Sequence, residues 1–230
     1  MPSRLISISF IFAVAFAVSQ CRPIESEASL DIWLPPELKE IFSIGEGSYW
    51  IMAGNSFGTP FQDSLYVTKV THDTVDILHP GEDRVIGKKE QFAIHYTSIW
   101  YGSDYILRSE ALDYCQNGNF NEPCHFMIVE SYSEGRLQSQ ERIFFFPASV
   151  GDAYTIAQNG LAGAELRLDS LHSTFTIRDN TFFDVYQLHA ERDFINQKPE
   201  TIRYIAPGVG VIRWITASID WEVMRYRIEK

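Results

Sequence analysis

Basic residues are in short supply. Lysine and arginine number 19 against 30 aspartates and glutamates, for a formal net charge of −11. With no basic stripe to neutralise phosphates, nucleic acid is excluded as a partner. The surplus carboxylates supply solubility and weak repulsion from anionic membranes, and they gather into no cluster that marks a cation site. Catalytic signatures are sparse too: the chain has no H-E-x-x-H, no Walker loop and no glycine-rich dinucleotide fingerprint. The histidines, at 72, 79, 95, 125, 172 and 189, show neither HxxxH nor HxH spacing. Ser109, Ser131 and Ser170 have no local partner that marks a nucleophile. His189-Ala190-Glu191 has the spacing of a base held by a carboxylate, a pattern common at strand ends. These absences describe a chain that is not an enzyme and carries no metal or cofactor.

Long apolar runs are also lacking, with one exception at the amino terminus. Arg4 precedes an apolar run from Leu5 to Val18, shorter than the about 20 residues a membrane-spanning helix needs. A positive start, an apolar middle and small residues at its end are the parts of a secretory signal over residues 1–20. Val18-Ser19-Gln20-Cys21 follows and resembles the lipobox of bacterial lipoproteins, with Gln20 where that motif usually has Gly, Ala or Ser. The resemblance implies that Cys21 is lipidated and that the polar residues 21–30 tether a soluble domain to a membrane.

What is present is apolar and aromatic: 45% of residues are hydrophobic and 14% aromatic, enough to build a packed core. Pro35-Pro36-Glu37 opens a short helix running to Phe42. After it come alternating segments bounded by turn residues: Ser48–Ala53, a hairpin of Phe61–Thr71 with Thr74–Leu78 around His72-Asp73, Gln91–Tyr101, Tyr105–Tyr114, His125–Tyr132 and Arg142–Phe146. Asp152–Ala157, Glu165–Leu171, Ser173–Arg178 and Phe182–Ala190 continue the series. A closing hairpin ends it, with Pro207-Gly208 as a turn, alternation from Val209 to Ile215, and a last strand Ile219–Ile228 that is apolar on both faces. About a dozen short strands with one helix predict an all-β antiparallel meander, curved into a barrel or sandwich, as one domain over 31–230.

The ending has a second resemblance. Thr181-Phe182-Phe183-Asp184-Val185-Tyr186, then Tyr204-Ile-Ala-Pro-Gly-Val-Gly-Val-Ile-Arg213, then Trp221-Glu-Val-Met-Arg-Tyr226, is similar to the close of many uncharacterised Bacteroidetes-type lipoproteins. Asn180 stands in place of their usual Gly, and Val223 in place of Leu. The resemblance implies a lineage and an antiparallel β architecture, and no activity.

Two constellations remain. Cys115 and Cys124 enclose a turn-rich segment with Asn117-Gly118 and Pro123. In the oxidising compartment beyond an export signal they read as a disulfide clip, since ligation with His125 lacks a second ligand pair. Trp100 and Tyr101, with Tyr105 beyond a Gly-Ser-Asp turn, are the candidate ligand contacts. Such aromatics either stack on a sugar ring or pack against each other across the hairpin. The expectation is a lipid-anchored cell-envelope protein, of the outer membrane and facing the periplasm or the surface. Its role is binding or structural, without catalysis. The alternatives are a carrier of a lipid or other apolar ligand in a sheet cavity, and a carbohydrate-binding surface protein.

Overall fold

Consecutive strands joined by short turns pair with their chain neighbours, and a computed structural model has that pattern almost throughout. It describes residues 30–79, 81, 83–99, 102–112, 124–155, 165–191 and 200–230. The expected signal, Cys21, Trp100, Tyr101 and Cys115 lie outside these described residues. Helix α1 (Pro36–Ile41) precedes β1 (Tyr49–Ser56), β2 (Thr59–Leu78), β3 (Val85–Ser98), β4 (Ser103–Leu112), β5 (Cys124–Ser133) and β6 (Arg136–Phe146). Then come β7 (Ala153–Thr155), β8 (Glu165–Ile177), β9 (Asn180–Ala190), β10 (Thr201–Ala206), β11 (Gly210–Thr216) and β12 (Ile219–Arg227). They form a 12-stranded sheet in the order β6-β5-β4-β3-β2-β1-β12-β11-β10-β9-β8-β7. The first and last strands pair, so the break falls between β6 and β7, and the antiparallel sheet is barrel-like and nearly closed. The all-β expectation with one short helix holds.

The described residues fall into two compact units, 30–31 with 76–88 and 32–75 with 89–230. In the small one, Leu30 N–H donates to Ile86 O (3.0 Å), His79 N–H to Arg84 O (2.9 Å) and Lys88 N–H to Asp31 Oδ1 (3.0 Å). The hydrophobic core lies in the large one.

The seam of the large unit is the β1–β12 pair, from Tyr49↔Arg227 to Ser56↔Ile219. Gly54 stands opposite Trp221 on one side and Phe61 on the other. A Cβ there would lie 1.8 Å from the Asp220 carbonyl oxygen, so only glycine fits. Over that bare position Phe61 and Trp221 stack, centroids 4.5 Å apart, and Trp214 meets Trp221 edge-on at 5.2 Å. Flanking aromatics thus cover the glycine that lets two strands approach.

Side chains span the break that the backbone leaves. Arg203 of β10, 4% exposed, pairs with Glu141 of β6 at 2.6 Å, its guanidinium 5.7 Å from the Trp214 ring centre. Phe144 of β6 meets Tyr186 of β9 edge-on at 5.1 Å. Phe126 of β5 packs on Tyr154 of β7 at 4.4 Å, with the Arg142 guanidinium 4.9 Å from the Phe126 ring centre. Inside, Phe126, Met127, Phe144, Ile205, Ile212 and Val223 are fully buried. The buried side of α1, Leu38 and Ile41, joins this core. Gly208, at φ +68°, turns β10 into β11 and donates its N–H to Ile41 O at 2.9 Å.

Four sequence expectations change. The hairpin around His72-Asp73 is instead one continuous strand, β2. Glu165–Leu171 and Ser173–Arg178 are one strand, β8, with a register shift between Leu168 and Ser170. The connection between the segments expected at Ser48–Ala53 and Phe61–Thr71 shrinks to the turn Phe57-Gly58, whose φ values of +52° and +78° suit the right-handed twist of a tight hairpin. On the closing strand Trp221 and Val223 are buried in the core and Ile219, Tyr226 and Ile228 pack against it half-buried, while Met224 is 38% exposed.

Removing a partner from a buried ion pair costs about 3–5 kcal/mol, whereas replacing both partners by apolar groups is often neutral. Arg203→Ala is therefore expected to lower the urea midpoint sharply, and Arg203→Met with Glu141→Leu to recover most of it. Equal losses in both variants would show that the pair does not hold the break.

Candidate functional site

A buried carboxylate organises the α1 end of the barrel. Glu90 on β3 is 7% exposed. Its Oε1 accepts from Lys39 Nζ at 2.7 Å and faces His72 Nε2 at 2.5 Å, and its Oε2 accepts the Leu34 N–H at 3.0 Å. Burial pushes the Glu90 carboxyl upward. The Lys39 ammonium, the Leu34 amide and His72 outweigh it, and the group sits below its ordinary value of 4.5. One side chain so ties the segment before α1, the helix itself, β2 and β3 together.

Beside this knot a groove of about 270 Å³ opens, lined by Lys39, Phe42, Ser43, Ile44, Gly45, Val70, His72, Phe92 and Lys230. Phe42 and Phe92 lie 6.2 Å apart between ring centres, and Phe42 also meets Phe144 edge-on at 6.0 Å. Backbone ties place Lys230: Gly45 N–H donates to Glu229 O at 2.7 Å, and Glu229 N–H donates to Ser48 Oγ at 2.9 Å. A second groove of about 320 Å³ shares Lys39, Ser43 and Lys230 and adds Glu40, Pro207 and Gly208. A groove lined by these apolar side chains together with lysine, serine and histidine can hold a small amphipathic molecule.

Deeper toward β5, His125 is 4% exposed, and its Nδ1 has no hydrogen-bond partner among the described residues. Burial lowers its pKa below the ordinary 6.5, against the pull of the Glu90 charge.

The residues singled out in the sequence are scattered. Tyr105 stacks on Tyr96 with centroids 5.2 Å apart and planes 10° apart, so one ring face is used inside the hairpin. Cys124 opens β5 and is buried. His189 pairs with Glu200 at 2.7 Å, and Glu191 donates its N–H to Glu165. Ser109 Oγ accepts the Phe92 N–H at 2.9 Å, and Ser131 Oγ lies 2.7 Å from Ser139 Oγ. Ser170 does meet a histidine, with His172 Nε2 at 3.0 Å. Gln187 Oε1, however, lies 3.1 Å from that hydroxyl and 3.0 Å from that nitrogen. An amide oxygen accepts from both, which makes His172 Nε2 a donor and leaves it no lone pair for the serine proton. Among the described residues no group of three His, Cys, Asp or Glu is placed to hold a metal ion.

Acid destabilisation has a definite sign here. His125 binds its proton less readily folded than unfolded, so stability falls as pH drops through 6.5 toward its lower folded value. The Glu90 contribution is full above 4.5 and is lost as pH falls through its depressed folded value. His125→Leu is expected to flatten the stability profile between about pH 5 and 7. Glu90→Gln is expected to cost about 1–3 kcal/mol at neutral pH and to flatten the acid limb. Urea titrations across pH with unchanged slopes in both variants would contradict the assignment.

Comparison with protein-family models, with curated proteins and with solved structures finds no match.

Proposed function

We propose that the chain is a non-catalytic binding protein of the cell envelope, held to a membrane through a lipid on Cys21 and taking its ligand in the groove beside α1. The observation that carries the reading is the contrast between a filled interior and an open rim. Phe126, Met127, Phe144, Ile205, Ile212 and Val223 occupy the middle of the sheet, which disfavours a carrier that encloses its cargo. The groove of about 270 Å³ beside Phe42, Val70 and Phe92 stays accessible, at the lower edge of the roughly 300–1,000 Å³ common for ligand sites. The carbohydrate reading has less behind it. Phe175 and Tyr204 stack on each other at 4.6 Å, while Trp33, Phe57 and Phe183 project from separate elements. The Cys115–Cys124 clip belongs to the same proposal, as a brace suited to an exported domain.

An environment-sensitive apolar dye, 1-anilinonaphthalene-8-sulfonate, is expected to bind the domain saturably at one site. Val70→Trp fills the groove and is expected to abolish that binding while the melting temperature stays within a few degrees. Undiminished dye binding in this variant would place the site elsewhere. For the anchor, Cys21→Ala is expected to move the protein from the membrane to the soluble fraction; membrane retention, or an unmodified Cys21 by mass spectrometry of the parent, would remove that part of the reading.

A further inference from the structure

We propose that the tip of the β2–β3 hairpin is a membrane-contact face, resting on a neutral lipid surface through Leu30, Leu78 and Val85. This rests on the reading of residues 21–30 as the tether of a lipid-anchored chain.

The place where the tether joins the fold is the first observation. Leu30 N–H donates to Ile86 O at 3.0 Å, and Lys88 N–H donates to Asp31 Oδ1 at 3.0 Å. The approach is close. A Cβ on Gly87 would lie 2.4 Å from the Leu30 carbonyl oxygen, so β3 is bare where that backbone crosses it. The hairpin closes a few residues away, where His79 N–H donates to Arg84 O at 2.9 Å. The chain leading from Cys21 therefore enters the fold at the hairpin tip. Leu30 follows Cys21 by nine positions, and nine residues reach at most about 32 Å. A lipid on Cys21 keeps this tip within that distance of the bilayer.

What the tip presents is the second. Leu30 is 42% exposed, Leu78 53% and Val85 49%. They share one face. Leu78 and Val85 flank the closing bond between His79 and Arg84, so they stand side by side on adjacent strands and project the same way. Gly87 is two residues on from Val85 and faces that side too, and the Leu30 backbone lies over it. Apolar side chains gathered on an exposed face mark a surface of contact.

Charge is the third. The charged residues described in this small unit are Asp31, Asp76, Asp83, Arg84 and Lys88. They lack the basic excess that an anionic membrane attracts. Attraction therefore falls to the apolar groups, and the lipid surface that fits is zwitterionic. Three half-exposed side chains hold a free protein only weakly. The tether raises their effective concentration at the bilayer, which makes the contact persist.

The test uses residues 22–230 with a hexahistidine tag at the amino terminus, held on phosphatidylcholine vesicles by a nickel-chelating lipid. The tag stands in for the acyl chain, so the outcome does not depend on modification of Cys21. Leu78→Trp is the reporter, and Phe183→Trp, an exposed position in the large unit, is its control. Brominated phosphatidylcholine is expected to quench the Leu78→Trp chain beyond the parent, and the Phe183→Trp chain no more than the parent. Adding Leu30→Ser and Val85→Ser to the reporter is expected to lower its ratio of docked to detached tips at least about tenfold, with the melting temperature within a few degrees. Equal quenching of reporter and control, no added quenching in either, or indifference to the two serines overturns the face. A blue shift of the Leu78→Trp chain that grows with protein concentration without vesicles makes a second copy the occupant, and overturns it as well. An unmodified Cys21 in the parent is a separate failure, of the anchor alone.

Discussion

Eight residues of β1, Tyr49–Ser56, pair with β12, and the placement of everything else in the large unit depends on that pairing. A meander of twelve strands otherwise has its edges at the first and last. Joining those two moves the discontinuity to β6 and β7, which are neighbours in the chain and edges in the sheet. The joint is chemically demanding. Gly54 comes so close to the Asp220 carbonyl that no side chain fits, and Phe61 and Trp221 supply over it the apolar contact that the glycine lacks. An exposed edge is an aggregation hazard, and this arrangement confines the hazard to one place.

At that place geometry replaces backbone pairing. Arg203–Glu141, Phe144–Tyr186 and Phe126–Tyr154 bring β6 and β5 against β10, β9 and β7. These contacts also fill the volume a hollow barrel would reserve for cargo. With α1 contributing Leu38 and Ile41 to the same core, chemistry for recognition is left to the rim. There the demands of folding and of binding meet in Glu90. Its carboxylate fastens four segments of the chain and, by the same hydrogen bonds, fixes two of the side chains that line the groove.

Alternation made the architecture readable, because half-buried strands repeat with period two. It failed where other chemistry interrupts the period. His72-Asp73 has the composition of a turn, yet β2 runs through it, with His72 held by Glu90. In β8 the polar stretch around His172 and Ser173 read as a break, although the strand runs through it to Ile177. The first half of β6, Arg136 to Gln140, is exposed and poor in strand formers, and only Ile143, Phe144 and Phe145 near its end are buried. The groove was not readable at all. Lys39, His72 and Glu90 stand far apart in sequence with no motif spacing, and they meet through the pairing of β2 with β3 and the placement of α1. What the sequence did offer was Pro36-Glu37, which places α1 and hence Lys39. Tyr105, chosen as an aromatic beside a turn, turned out to stack on Tyr96.

The central claim is that the β1–β12 seam holds the sheet together while the β6–β7 break is closed by side chains alone. Native-state amide hydrogen exchange measures this strand by strand. The account predicts that amides of β1 and β12 exchange only through global unfolding, and that edge-strand amides of β6 and β7 exchange through cheaper local opening. Seam amides that open locally while β6 and β7 remain protected to the global limit would contradict it.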